Sequence, residues 1–244
     1  MTNTGGPLTG IQVVDLTTAV SGPVAAVILA DQGADVIKIE PPGGDFMRAA
    51  GPKTGMNPTF VACNRGKRSM VLDLKQQRAA EIMWRVIESA DVLIQNFRPG
   101  AIERLGFGAS TVAARNPKLV YLSISGVGES GPYSGKRVYD PVIQALGGLA
   151  DIQADPQTGR PRMVRTLIAD KTTAVYAAQA VVAALFSRER SGVGQHIRLS
   201  MLDTLVCYLW PEGMASSALV DTCLLYTSDA ADEGLGVDLG GRRI

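Results

Sequence analysis

Residues 11–40 read IQVVDLTTAVSGPVAAVILADQGADVIKIE, and this stretch decides the fold. Ile11 to Leu16 is a short β-branched run and reads as a strand. Gly22 to Gly33 carries Pro23 near its start and glycine at its end, the asymmetry of a helix with proline at its first turn and glycine past its last. Asp35 to Glu40 is a second strand. The unit is strand, helix, strand, and its geometry demands a parallel pair.

Working outward, the alternation continues. Ser69–Leu74, Val92–Ile94 and Leu119–Ile124 read as further strands, and Gln76–Ala90 has apolar residues at helical spacing (Ala80, Met83, Ile87). Beyond a Gly- and Pro-rich stretch, 126–135, a helix is expected around Pro141–Ala150. A turn-rich link at 155–159 follows, then a long helix from about Asp170 to Glu189, a strand at Ile197–Ser200 and a helix from Met201. The predicted architecture is α/β: a doubly wound, mostly parallel sheet with helices on both faces.

Composition narrows the function. The 244 residues carry 24 basic and 23 acidic side chains, which leaves no charge excess to attract nucleic acid or an anionic membrane. Met1 to Gly10 lacks a basic and an apolar leader region, and the apolar run Val24–Ala30 is too short to span a bilayer. Three cysteines at irregular spacing fit a reducing, cytoplasmic setting. No Cys/His spacing for a metal is present.

From Thr222 the chain reads TCLLYTSDAADEGLGVDLGGRRI, and Cys223–Glu233 resembles the translation of a transposase-end sequencing adapter. Residues 222–244 are therefore expected to be an artefactual tail, leaving 1–221 as one incomplete domain with 22 basic and 19 acidic residues.

Four features bear on chemistry. Gly126-Val127-Gly128-Glu129-Ser130-Gly131 is a G-x-G-x-x-G, but it follows a late strand and leads into Pro132-Tyr133-Ser134-Gly135, so an NAD(P) site is not expected. Arg65, Lys67, Arg68, Lys75 and Lys38 lie beside strands, as a solvated face or as a phosphate site. Asn96-Phe97-Arg98-Pro99-Gly100, with Arg104, adds cations after another strand, where α/β sheets gather ligands. Asp170 reads as an N-cap or first-turn aspartate; the same position suits a carboxylate nucleophile favoured by the helix dipole. The lone histidine, His196, sits at a turn-to-strand junction with a surface or packing role.

Together these segments resemble the class III CoA-transferase family, of formyl-CoA and carnitine CoA-transferase type, across residues 7–221. The resemblance rests on Pro7–Gly10 to Pro23, Asp35–Glu40, Asn64–Lys75, Asn96–Gly100, Gly126–Tyr133, Tyr139-Asp140-Pro141 and Gly192–Gln195. It implies a transferase moving CoA from an acyl-CoA to a small carboxylic acid, with Asp170 as nucleophile through aspartyl anhydride and thioester intermediates. The CoA-contact positions it implies are Val20, Ser21, Leu72, Asp73, Leu74, Lys75, Asn96, Phe97, Arg98, Arg104, Arg137, Val138, Tyr139 and Asp140. It also implies an interlocked homodimer with a second, smaller domain, before which this chain stops; the chain as written is expected to be inactive.

Two positions depart from the formyl-transferring members: Val20 replaces a glutamine and Pro41 a CoA-contacting arginine. A related racemase branch pairs an aspartate with a histidine, where this chain has Tyr139. A phenol is a poor neutral-pH base, so the transferase reading leads. A CoA-binding protein without chemistry is the other alternative.

Overall fold

A computed structural model describes residues 5–50 and 57–215. Residues 1–4 and the tail expected to be foreign, 222–244, lie outside the described residues. The chain divides into two units after Leu205; the described part of the second holds the end of one helix and a short further one, Trp210–Ala215.

In chain order the first unit runs β1 (Gln12–Asp15), α1 (Ser21–Asp31), β2 (Asp35–Glu40), α2 (Pro58–Asn64), β3 (Arg68–Val71), α3 (Gln77–Ser89) and β4 (Val92–Gln95). It continues with α4 (Ala101–Arg104), α5 (Ala109–Arg115), β5 (Val120–Ser125), α6 (Asp140–Leu146), α7 (Leu149–Ile152), α8 (Ile168–Ser191), β6 (His196–Ser200) and α9, which begins at Met201. The strands form one sheet in the order β3-β2-β1-β4-β5-β6, and every neighbouring pair is parallel. β1 and β4 are adjacent although five of these elements (α1, β2, α2, β3 and α3) separate them in sequence, so the sheet is wound outward from that junction in both directions.

Residues alternate between two faces, as a pleated strand requires. Val13, Val92, Ile94, Val120 and Leu122 pack with α1 and α8, while Val14, Leu93 and Tyr121 pack with α3, Phe107 and Val112. Both faces are buried, which is why the strands are runs of Val, Ile and Leu. The first layer meets through small side chains: Ala25 and Ala26 of α1, and Ala174, Ala177, Ala178 and Ala184 of α8, all buried.

The expected helix at 141–150 is broken in two. Gly148 takes φ +83°, a left-handed conformation that costs glycine little and interrupts the helix. Expected strand Ser69–Leu74 ends at Val71, because Asp73 accepts the Lys75 N–H (3.2 Å) and turns the chain into α3. α2 was unforeseen; Asn57 caps it by accepting the Thr59 N–H (3.0 Å), and Pro58 follows at its first position.

Four of the basic residues around β2 and β3 are engaged by acids, whereas Lys75 is exposed without an ion pair among the described residues. Lys67 is buried: its Nζ lies 2.7 Å from Asp15 Oδ2, 2.9 Å from the Pro23 carbonyl and 2.9 Å from Asn64 Oδ1. Lys38 is buried as well, donating to the Thr17 carbonyl (2.6 Å) and pairing with Asp45 (3.0 Å). Arg65 pairs with Asp31 and Arg68 with Asp35. Each of these four cations is held by an acid whose place depends on the sheet order.

Glu40, at the end of β2, receives two hydrogen bonds from Arg48 (both 2.7 Å), one from Ser69 and one from the Asp45 amide. These donors, Arg48 first, hold its carboxyl down at about 2. Its ionised form therefore stabilises the fold above the ordinary value of 4.5, and that contribution disappears as pH falls towards 2. Urea midpoints at pH 7 and pH 3 should show Arg48→Met clearly destabilising at the first and markedly less so at the second. Equal effects at both would contradict the assignment.

Candidate active site

The site lies at the carboxyl end of the sheet, beside the β1/β4 junction, where doubly wound sheets place their ligands. Two loops meet there. Thr18 donates its N–H to Asn96 Oδ1 (3.0 Å), and Asn96 Nδ2 donates to the Thr18 carbonyl (2.8 Å), so the loops after β1 and β4 are locked reciprocally. Ala19 holds φ +67°, a left-handed conformation that a residue with a Cβ adopts at a cost of about 1–3 kcal/mol. This turn delivers Val20 and Ser21 to the start of α1. Gly22 is required behind it, since a Cβ there would sit 2.4 Å from the Thr17 side chain.

Asp170 is the third residue of α8. Leu167, at the capping position, has no side-chain acceptor, so Asp170 is not the cap. That work passes to another helix: Asp140 Oδ2, at the head of α6, accepts the Asp170 N–H at 3.0 Å. Gln144, one turn along α6, donates to Asp140 Oδ1 (2.5 Å) and accepts the Val164 N–H (2.9 Å), pinning the approach to α8. Nothing at the level of spacing announces this cross-helix cap. The Asp170 carboxylate itself is hydrogen-bonded by the hydroxyl and the amide of Ser21. Burial first, and the Asp140 charge second, outweigh those donors and push Asp170 up to about 6.

The remaining candidates divide by burial. Val20 and Leu72 are buried, and Asp140 is 2% exposed and faces α8. Asp73 is engaged in its own turn, followed by the half-buried Leu74. Val138 packs so closely on Gly126 that a Cβ there would meet it at 2.0 Å, and Tyr139 is exposed. Lys75, Arg98, Arg104 and Arg137 are exposed after the carboxyl ends of β3, β4 and β5, and among the described residues none of them is in an ion pair. Phe97, Arg98, Gly100, Ile102, Ser125 and Glu129 line a crevice of about 170 Å³ between the ends of β4 and β5.

The G-x-G-x-x-G loop has Gly128 and Gly131 at positive φ and opens no helix; α6 begins only at Asp140. His196 is the first residue of the edge strand β6, and its Nε2 lies 2.9 Å from Ser123 Oγ, with Asp170 not among its partners. Among the described residues no group of three or more His, Cys, Asp or Glu side chains is placed to hold a metal ion, and no helix is long and apolar enough to cross a membrane.

The profile of CoA-transferase family III matches residues 8–222. An acetyl-CoA:oxalate CoA-transferase of Acetobacter aceti is 40% identical over 215 residues, covering 87% of this chain and 55% of its own length. A succinate–glutarate CoA-transferase of Agrobacterium fabrum is 40% identical over 223 residues, covering 88% and 56%. Among solved structures, Rv3272 of Mycobacterium tuberculosis superposes with TM-score 0.80 at 36% identity, covering 86% of this chain and 59% of that one. A CAIB/BAIF family protein of Brucella suis gives 0.83 at 36%, covering 89% and 59%. The chain spans little more than half the length of the relatives it matches.

Proposed function

Because this chain belongs to CoA-transferase family III, we propose that it forms the CoA-binding domain of an enzyme that moves CoA from an acyl-CoA to a small carboxylic acid. Asp170 is the nucleophile in this reading. The observation that carries it is the placement of that carboxylate: desolvated, oriented by Ser21 and by the Asp140 contact to its amide, at the carboxyl end of the sheet.

The chemistry follows from a carboxylate facing a thioester. Asp170 attacks the donor carbonyl, the C–S bond breaks, and CoA departs as thiolate to give a mixed aspartyl–acyl anhydride. The thiolate then attacks the aspartyl carbonyl, releasing the donor acid and leaving an aspartyl-CoA thioester. The acceptor carboxylate displaces the thiolate again, forming a second anhydride. Attack of the thiolate on the acceptor acyl carbon yields the new acyl-CoA and restores the Asp170 carboxylate. No proton is gained or lost in the cycle. Backbone N–H groups at the start of α1, around Val20, are the proposed donors to the oxyanions; Val20 supplies no side-chain donor.

CoA is held, in this reading, by the unpaired cations. Lys75, Arg98, Arg104 and Arg137 meet its phosphates, and Phe97 offers a ring face to adenine. Leu72 and Asp140, being buried, contribute through backbone and through Asp170 respectively. Arg98→Ala is expected to weaken CoA binding about 10- to 100-fold, the loss of a charge-assisted contact. Calorimetric titration reads this directly, and an unchanged affinity would remove Arg98 from the site.

The reaction asks for no second base across the substrate, which suits a chain whose only imidazole is bonded to Ser123. The enzyme is proposed to act in the cytoplasm, where thiols stay reduced, as a homodimer. The deciding experiment is chemical trapping. Full-length protein incubated with acyl-CoA and hydroxylamine should yield a hydroxamate on the peptide containing Asp170. CoA binding with no labelled aspartate would reduce the protein to a CoA-binding one.

Because Asp170 must be ionised to attack, kcat/KM should fall tenfold per pH unit below about 6 and level off above it. Asp140→Asn keeps an acceptor for the Asp170 N–H but removes the neighbouring charge, so it should move that limb to lower pH. A limb that stays in place would dissociate Asp140 from the ionisation of Asp170.

A further inference from the structure

The side chains of Gln95, Ser123 and His196 lie on one face of β4, β5 and β6 and make a continuous chain of hydrogen bonds. It starts at the loop after β4. The Phe97 N–H donates to Gln95 Oε1 at 2.8 Å. An amide N–H can only donate, so the oxygen of Gln95 is turned to Phe97 and its nitrogen to Ser123, whose Oγ lies 3.0 Å away. Ser123 Oγ thus accepts from Gln95, and its proton is available to His196 Nε2, 2.9 Å away. In that arrangement the imidazole is neutral and carries its proton on Nδ1. Its surroundings agree: burial first, and the Arg198 charge second, hold His196 below its ordinary range, against the opposing pull of Glu129 and Glu103. The ring also stands edge-on to Tyr121, centroids 5.2 Å apart.

Gln95 and Ser123 are each 4% exposed. The reciprocal Thr18–Asn96 pair fixes one side of the loop, and this chain fixes the other. We propose that Gln95, Ser123 and His196 are positioning residues, which hold Phe97 and Arg98 in the geometry that receives CoA without themselves touching it. The inference rests on the proposed CoA site, and its test separates the two.

CoA affinity is measured by calorimetry for the unaltered chain, Gln95→Leu, Ser123→Ala, Ser123→Thr and, as a reference, Arg98→Ala. Amide hydrogen exchange over residues 96–98 is followed in the same proteins. Gln95→Leu and Ser123→Ala should each weaken CoA binding about three- to tenfold, the loss of one or two buried hydrogen bonds, and speed exchange at 96–98. Ser123→Thr keeps the hydroxyl and should restore both. In full-length enzyme the loss should appear in KM for acyl-CoA, with kcat and its acid limb unmoved. The chain has one histidine, so its imidazole ¹⁵N signals need no assignment, and they should report the Nδ1–H tautomer at neutral pH.

An Nε2–H tautomer overturns the inference. So does wild-type affinity and exchange in Gln95→Leu and Ser123→Ala when Arg98→Ala binds weakly. Failure of the unaltered chain to bind CoA would instead strike down the site itself, and with it the role assigned here in affinity.

Discussion

Full-length enzyme carrying Asp170→Asn loses acyl transfer, with kcat lowered on the order of 10³–10⁶, the scale seen when a covalent nucleophile is removed. The same variant gains stability above pH 6. Asp170 takes up its proton at about 6 in the folded protein and at about 3.8 unfolded, so stability falls as pH rises between those values. Above both, the folded state carries a desolvated charge beside Asp140, at a cost on the order of 1–3 kcal/mol. An amide of the same shape avoids that charge and still accepts from Ser21. Loss of turnover together with a raised melting temperature at pH 8, and little change at pH 4, is the expected pair of results. Retained turnover would remove Asp170 from the chemistry. Lower stability at pH 8 would mean that Ser21 and the helix dipole outweigh burial and the Asp140 charge.

The second large effect lies beneath the site. Lys67→Ala strands Asp15, which is fully buried, keeps its carboxyl below the ordinary range through Lys67 and Lys38, and organises the turn by accepting from Thr17. Removing one partner of such a pair costs about 3–5 kcal/mol, a large share of the stability of a domain. The change also frees the Pro23 carbonyl and Asn64, so the start of α1 should loosen with it. The urea midpoint should drop far enough to leave the protein partly unfolded at physiological temperature. Asp15→Asn/Lys67→Met should recover much of the loss, since it leaves no unpaired buried charge. A Lys67→Ala protein as stable as the parent would mean that water reaches Asp15.

The alternation of strand and helix, the parallel sheet and the family membership were all legible in the amino-acid sequence. Each is written in local patterns: runs of Val and Ile, Pro23 and Gly33 at the two ends of α1, short motifs in a fixed order. That no helix opens directly after Gly126–Gly131 was legible for the same reason, because the turn-forming run Pro132-Tyr133-Ser134-Gly135 follows it. Short elements were harder. α2 has seven residues and two buried side chains, too few for a period to emerge, although Asn57-Pro58 marked its start.

What the sequence by itself determined is therefore the order of the strands and long helices and the family. Only the tertiary structure decided which charges do what. Lys67 and Arg98 both follow or precede strands and look alike in composition, yet the first is buried 2.7 Å from an aspartate 52 residues away and the second is exposed without an ion pair among the described residues. Asp140 caps a helix that starts 28 residues after it, and His196 reaches Ser123 across a strand boundary. The physical reason is common to all three. Pairing of charges and hydrogen bonds is set by which strand lies beside which, and the β3-β2-β1-β4-β5-β6 order joins segments that no local period connects.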